Sequence, residues 1–226
     1  NMQKIEPIEF GYYYHIYNRG IDGMDLFRSN DNYSYFMELY FKYVEHVADT
    51  YAWCLMKNHF HFLVRIKEEE EIPPFKPLSG YKTSERVNDL LTPSAVTHPD
   101  GGLVKRRKPK PSNQFSHLFN SYAQAFNRMY NRTGSLFEKP FKRKLVESED
   151  YLKRLVFYIH HNHVHHCIAD RITEYTWSSY LAIIKPSETK IKREEVIDWF
   201  DDVENFKFYH QQEHELDAMN ELLIDS

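Results

Sequence analysis

The sequence predicts an α+β fold, an antiparallel sheet with helices packed mainly on one face and a helical tail at the C-terminus. Three observations carry this. Apolar residues change rhythm along the chain, giving the order strand, helix, strand, strand, helix, strand, helix. Two of the strand-like runs are separated by a tight two-residue turn, which makes them a hairpin and so an antiparallel pair. The chain of 226 residues is 42% hydrophobic and 16% aromatic, enough to build a real core.

The elements follow in order. "FGYYYHIYNRG", Phe10 to Gly20, is a β-prone aromatic run closed by Asn-Arg-Gly. "SNDNYSYFMELYFKYVEHVAD" has Ser29 or Asn30 as a cap. Its residues Tyr33, Phe36, Met37, Tyr40, Phe41 and Val44 recur at helical spacing. "TYAWCLM", Thr50 to Met56, and "HFHFLVRI" flank the turn Lys57-Asn58 as the two arms of the hairpin. The pattern then breaks from Lys67 to Ser112, with an acidic run, prolines at 73, 74, 77, 93 and 99, Gly101-Gly102 and the basic run "KRRKPK". This reads as a long insertion, partly mobile, with a short helix near Ser84 to Leu91. Helical periodicity resumes at Asn113, with Phe115, Leu118, Phe119, Tyr122, Phe126 and Met129 on one face, and stops at Gly134. A strand follows near Lys142 to Val146. Ser148, Glu149 and Asp150 open another helix through "YLKRLVFYIHHNHVHH". The organisation is then residues 1–66 with 113–184 as the main domain, 67–112 as the insertion and 185–226 as an acidic helical tail.

Charge is uneven. The net charge is −4, yet Lys105 to Lys110 and Lys139 to Lys144 are basic while the C-terminal stretch is acidic. This distribution fits a phosphate-binding face, and equally a solvated surface with an acidic tail. No apolar run approaches the roughly 20 residues of a membrane span. No basic-then-apolar leader opens the sequence, so no secretion signal is expected. Only Cys54 and Cys167 occur, and Cys54 reads as a buried thiol in a strand. A reducing, cytoplasmic setting is expected.

The chemistry is carried by two short patterns. His59 and His61 stand one residue apart in a strand, so their side chains leave the same face. Two neighbouring imidazoles make a half-site for a metal; the alternative is a pair of surface or hydrogen-bonded core histidines. In "FYIHHN", Tyr158 and Asn162 lie four apart, about 40° around a helix, and so share a face. A tyrosine hydroxyl is a nucleophile, and an amide oxygen is a hard ligand suited to Mg²⁺ or Mn²⁺. Tyr158 also fits as one more member of an apolar stripe with Tyr151 and Leu155. Tyr122 is the rival nucleophile, but Asn127 lies five on and about 140° around the helix, so Tyr122 reads as core. The histidines at 160, 161, 163, 165 and 166 lack cysteine partners for a zinc site and read as helix-end surface or DNA-facing residues.

Five pieces, "YYYHIYNRG", "CLMKNHFHFLVRI", "NRTGSLFEKPFKRKLV", "SEDYLKRLVFYIHHNHVHH" and "YTWSSY", stand in an order that resembles the single-tyrosine HUH transposases, specifically the REP-associated branch. The resemblance covers roughly residues 10 to 182 apart from the insertion. It implies a ferredoxin-like HUH fold, metal-dependent nicking and rejoining of single-stranded DNA at hairpin-associated sites, and a 5′-phosphotyrosine intermediate. Carried over residue by residue, it makes Tyr158 the nucleophile and His59, His61 and Asn162 the ligands of Mg²⁺ or Mn²⁺. Arg19, Lys105, Arg106, Arg107, Lys108, Lys142, Arg143 and Lys144 are the candidates for DNA phosphates. The partner expected is single-stranded DNA with a hairpin, with no membrane, and the protein a monomer or homodimer. Two departures stand out. Asn162 is followed by His163 where the family usually has proline, so the helix is expected to run on, and the insertion is longer than usual. Two other classes stay open: a DNA-binding regulator that cuts weakly or not at all, and a metal-dependent hydrolase without a covalent step.

Overall fold

The structure, a computed structural model, describes residues 7–74 and 108–212. Its centre is a four-stranded sheet of β1 (Tyr13–Arg19), β2 (Ala48–Leu55), β3 (His59–Ile66) and β4 (Lys142–Val146), in the spatial order β2-β3-β1-β4. Every neighbouring pair is antiparallel. The expected class holds, and β2 with β3 forms the hairpin that the Lys57-Asn58 turn announced. The postulated helix at Ser84 to Leu91 lies outside the described residues.

Alternation along the strands decides what sits where. Tyr14 and Ile16 of β1 and Phe60, Phe62, Val64 and Ile66 of β3 point to one face. There they meet α1 (Asn30–Val44) and α2 (Pro111–Met129) through Phe36, Tyr40, Phe115, Phe119 and Tyr122. Aromatic stacking locks this layer, with Tyr40 on Phe62 at 4.2 Å between ring centroids and Phe60 on Phe119 at 5.5 Å. α2 begins at Pro111, two residues before the expected start, because proline at the first helical position loses no hydrogen bond.

The opposite face carries α3 (Glu149–His165), α4 (Tyr180–Ile184), α5 (Arg193–Asp198) and α6 (Val203–Gln211). Leu152, Leu155, Val156 and Ile159 of α3 fall at helical spacing and pack with Tyr51, Ala52, Cys54 and Leu63. Helices therefore cover both faces more evenly than the expected one-sided arrangement. The reason is legible in the strands: β3 is buried on both sides, a near-continuous apolar run rather than a clean alternation. The C-terminal stretch, expected as an appended tail, shares this second core through Ile191, Val196, Phe200 and Phe206.

α3 is capped as its sequence requires. Ser148 Oγ accepts a hydrogen bond from the Tyr151 N–H at 3.2 Å, and Glu149 and Asp150 sit in the first turn. The helix continues past Asn162 to His165, as the missing proline led one to expect. Gly20 ends β1 where a Cβ would lie 1.9 Å from the Met24 carbonyl oxygen, so only glycine permits the chain to fold back here. That turn brings the Gly20 N–H to the Asn58 carbonyl at 2.8 Å and so ties β1 to the start of β3, where His59 stands.

Candidate active site

Register places the candidate residues. In the β1–β3 ladder Arg19 faces His59 and Tyr17 faces His61. In the β1–β4 ladder Tyr17 faces Lys142 and His15 faces Lys144. Directly opposed residues share a sheet face, so His15, Tyr17, Arg19, His59, His61, Lys142 and Lys144 all look toward α3. Arg143 alternates to the other face, with its guanidinium 4.8 Å from the ring of Phe141. The sheet thus splits the basic segment 139–144 in two.

α3 completes the group. Tyr158 stands edge-on to His61, ring centroids 5.4 Å apart, and to His15 at 6.4 Å. Asn162, one turn on, places Oδ1 2.9 Å from His59 Nε2. His59, His61, Tyr158 and Asn162 are therefore assembled in one place by two elements, β3 and α3. Tyr122 is in the opposite core, with its hydroxyl donating to the Leu26 carbonyl at 2.5 Å. It is a core residue, as its helix geometry indicated.

Hydrogen bonds around the two histidines determine which nitrogen faces the centre. Asn58 donates to the Gly23 carbonyl through Nδ2, which leaves its Oδ1 to accept from His59 Nδ1 at 2.8 Å. His59 Nε2 then carries the lone pair and points at another acceptor, Asn162 Oδ1. Two acceptors 2.9 Å apart need something between them or an amide turned around. A proton on His59 is a poor solution, because burial holds its pKa down to about 4. Turning the amide would satisfy Asn162 Nδ2, which is buried with no hydrogen bond. A divalent cation would satisfy both lone pairs, since an imidazole nitrogen and an amide oxygen are donors that such an ion accepts. His61 Nδ1 lies 2.9 Å from His15 Nε2. When His61 donates in that contact, its own Nε2 keeps the lone pair that a ligand needs. Partners that fix the distal nitrogen are what metal-binding histidines ordinarily have.

Electrostatics favour neutral imidazoles here. Burial, with Lys144 nearby, lowers His15 to about 3, and burial with the neighbouring His15 holds His61 well below its ordinary range. Neutral histidine is the form that ligates. Tyr158 is pushed up to about 12, mainly by burial, while Asn162 opposes the shift. Among the described residues no three His, Cys, Asp or Glu side chains are grouped to hold an ion by themselves. The donor set that these residues would offer an ion is two imidazoles and one amide oxygen.

The basic candidates fare unequally. Arg19 is beside His59, and its Nε is paired with Glu138 Oε1 at 2.9 Å. Lys142 and Lys144 are on the site's face. Lys108 donates to the Glu69 carbonyl, beyond the end of β3 remote from His59, so it is not brought to the site. Lys105, Arg106 and Arg107 lie outside the described residues.

Two histidines expected at the surface are buried. His160 and His163 are both fully covered, His160 by Phe206 and His210 of the C-terminal helices and His163 by Tyr175, whose ring stacks on it at 4.6 Å between centroids. His160 Nδ1 is 3.0 Å from His210 Nε2, its Nε2 is 2.8 Å from Ser179 Oγ, and His210 Nδ1 donates to the Phe206 carbonyl at 2.8 Å. This chain of hydrogen bonds clamps α6 and the start of α4 to the helix that carries Tyr158. Sequence reading also missed His15, Tyr17, Asn58 and the place of His166. His15 and Tyr17 alternate correctly in β1, but only the register with β3 reveals that they flank His61. His166 lies with its ring centroid 5.0 Å from that of His59.

Buried neutral histidines make stability depend on acid. An unfolded histidine takes up a proton near pH 6.5, whereas His163 does so only at about 4 and His160 well below its ordinary value. Between pH 6.5 and 4 the unfolded chain binds more protons, so stability should fall as pH falls. The loss is about 1.4 kcal/mol per pH unit for each such histidine, and the curve should be flat above about pH 6.5. Urea midpoints at neutral pH and at two mildly acidic values, in the presence of a chelator, measure this. A midpoint that stays constant or rises on acidification contradicts it.

No family model matches the chain, and no curated protein matches it either. Among solved structures it superposes on a REP-associated tyrosine transposase bound to a REP hairpin, with a TM-score of 0.56 and 10% identity, over 81% of this chain and 86% of that one. The two share the α+β fold with its antiparallel sheet. No helix among the described residues is long and apolar enough to cross a membrane.

Proposed function

We propose that this chain is a metal-dependent DNA strand transferase that works through a tyrosine nucleophile. Within that class, the REP-associated tyrosine transposases are the branch to which we assign it, with a hairpin-bearing single strand as substrate. The observation that carries the reading is the convergence of Tyr158 and Asn162 from α3 on His59 and His61 of β3. The neighbour's DNA hairpin and the motifs of the sequence support it independently.

His59, His61 and Asn162 would hold Mg²⁺ or Mn²⁺, which when bound polarises a phosphate oxygen and eases departure of the 3′ oxygen. Tyr158 Oη attacks phosphorus; the P–O3′ bond breaks and a Tyr–O–P bond forms. In the net exchange the tyrosine proton ends on the released 3′ oxygen, giving a 5′-phosphotyrosine and a 3′-hydroxyl. One phosphodiester replaces another, so rejoining needs no nucleotide cofactor. At a pKa of about 12 the hydroxyl is protonated at neutral pH, so its activation must come with substrate and ion in place. Arg19, Lys142 and Lys144 flank the centre and would hold the backbone on either side of the scissile phosphate. Incubating the chain with Mn²⁺ and a library of hairpin-bearing single strands, then capturing covalent adducts, tests the proposal. Cleavage without an adduct would point to a hydrolase, and binding without cleavage to a regulator.

The flanking lysines should set affinity rather than chemistry. Lys142→Ala with Lys144→Ala should weaken single-strand binding. The slope of log affinity against log salt should fall by about 0.7 for each DNA phosphate that the variant no longer neutralises. Titrations between low and moderate salt give the slope directly. An unchanged slope would remove these two residues from the DNA path.

A further inference from the structure

A concavity lies on the face of β4 opposite the candidate active site. It is a cleft of about 820 Å³ between α2 and the stretch 134–143, within the range of sites that hold a small molecule or nucleotide. Asn113, Asn120 and Gln124 line one wall, separated by seven and four residues and so on one face of α2. All three are exposed amides. Their neighbour Asn127 is already engaged, donating to the Gly134 carbonyl at 2.9 Å. The floor is aromatic: Phe119 contacts Phe137 at 5.4 Å and Phe141 at 5.2 Å between ring centroids, and Phe141 is only half-buried. Lys139 stands exposed at the rim.

From this combination we infer that the cleft is a binding site for an unpaired nucleobase of single-stranded DNA, read by Asn120 and Gln124 over the Phe141 ring. Amide side chains offer the paired donor and acceptor that a base edge needs, and an aromatic face accepts any base by stacking. A cation at the rim suits the attached phosphate. The position agrees with the candidate active site. Asn18 lines the cleft while the next residue, Arg19, faces His59 on the other side of the sheet. Arg143 lines the cleft while Lys142 and Lys144 flank the site. A single strand crossing the β1–β4 edge of the sheet therefore meets both places, one reading a base and the other holding a backbone phosphate. The inference rests on the nucleic-acid reading of the site above.

The test uses the full chain carrying Tyr158→Phe, with and without the double change Asn120→Ala, Gln124→Ala. Both amides are exposed, so their truncation leaves the core untouched. The probes are fluorescein-labelled oligonucleotides of one length, one of deoxyadenylate, one of thymidylate and one wholly abasic, followed by anisotropy. We expect the double change to weaken at least one of the base-bearing strands by about fivefold or more, to leave the abasic strand unaffected and to leave the salt slope unaltered. Equal binding of all three strands by the two proteins would overturn the inference, as would a weakening shared by the abasic strand. Adduct formation by the chain with Tyr158 intact is scored separately. An adduct with no effect of the double change rejects the cleft alone. A base-dependent weakening without any adduct keeps the cleft and rejects the strand-transfer chemistry. No adduct and no binding of any strand rejects both.

Discussion

Tyr158→Phe should form no covalent DNA adduct while folding and binding DNA nearly as the parent does. The change deletes one hydroxyl. The ring remains in the second core with Leu155 and Ile159 and keeps its edge contact with His61. The hydroxyl is set in this place by α3, whose own position is clamped through His160, His210 and Ser179. Loss of the attacking atom should lower adduct formation by at least about four orders of magnitude, the scale on which removal of a covalent nucleophile is ordinarily felt. Tyr122→Phe is the matched control. It removes a hydroxyl bonded to the Leu26 carbonyl on the far side of the sheet and should cost stability, about 1 kcal/mol, but not chemistry. Denaturing gels of each variant with a labelled strand report the adduct, and thermal unfolding reports the fold. An adduct from Tyr158→Phe at the parent's rate would show that another group attacks.

His59→Ala and His61→Ala should each abolish cleavage and the response to Mn²⁺, with the fold retained. The two differ in kind. His59 is half-buried and is held by Asn58 and Asn162, so its truncation opens the site. His61 is buried, and its truncation leaves His15 Nε2 without its partner, so this variant should also unfold more readily, by about 1–3 kcal/mol. Asn162→Ala should fall between these and the parent, because two imidazoles and water still hold an ion, at a cost of roughly 10- to 100-fold in affinity. Calorimetric titration with Mn²⁺ measures binding apart from turnover. Parent-like rates in both histidine variants, with and without metal, would sink the assignment.

The local chemistry of this chain is readable in its sequence wherever spacing alone fixes direction. His59 and His61 alternate in a strand, and Tyr158 and Asn162 recur on a helix, so each pair was bound to point together. That the two pairs meet depends on α3 crossing β2 and β3, which no local pattern states; the family resemblance supplied it. His15 and Tyr17 were hidden for the same reason, since their place beside His61 is a property of strand register. The burial of His160 could not be read because it depends on what the C-terminal stretch does, and that of His163 because it depends on where the chain places Tyr175. The C-terminal helices look polar one by one, yet Val196, Phe200 and Phe206 together close the second core. An acidic composition signalled a tail, and three apolar residues on its inner side outweighed that signal.

In the proposed covalent step the Tyr158 hydroxyl is the nucleophile at the His59, His61 and Asn162 centre. This step is tested most directly by trapping the parent chain on a hairpin-bearing single strand with Mn²⁺, digesting both components and mapping the modified peptide by tandem mass spectrometry. The expected product is a nucleotide joined through a 5′-phosphate to Tyr158, in the peptide that contains "LVFYIHHN". A nucleotide on Tyr122, on Tyr17 or on any other residue, or cleaved strands with no modified peptide, would contradict it.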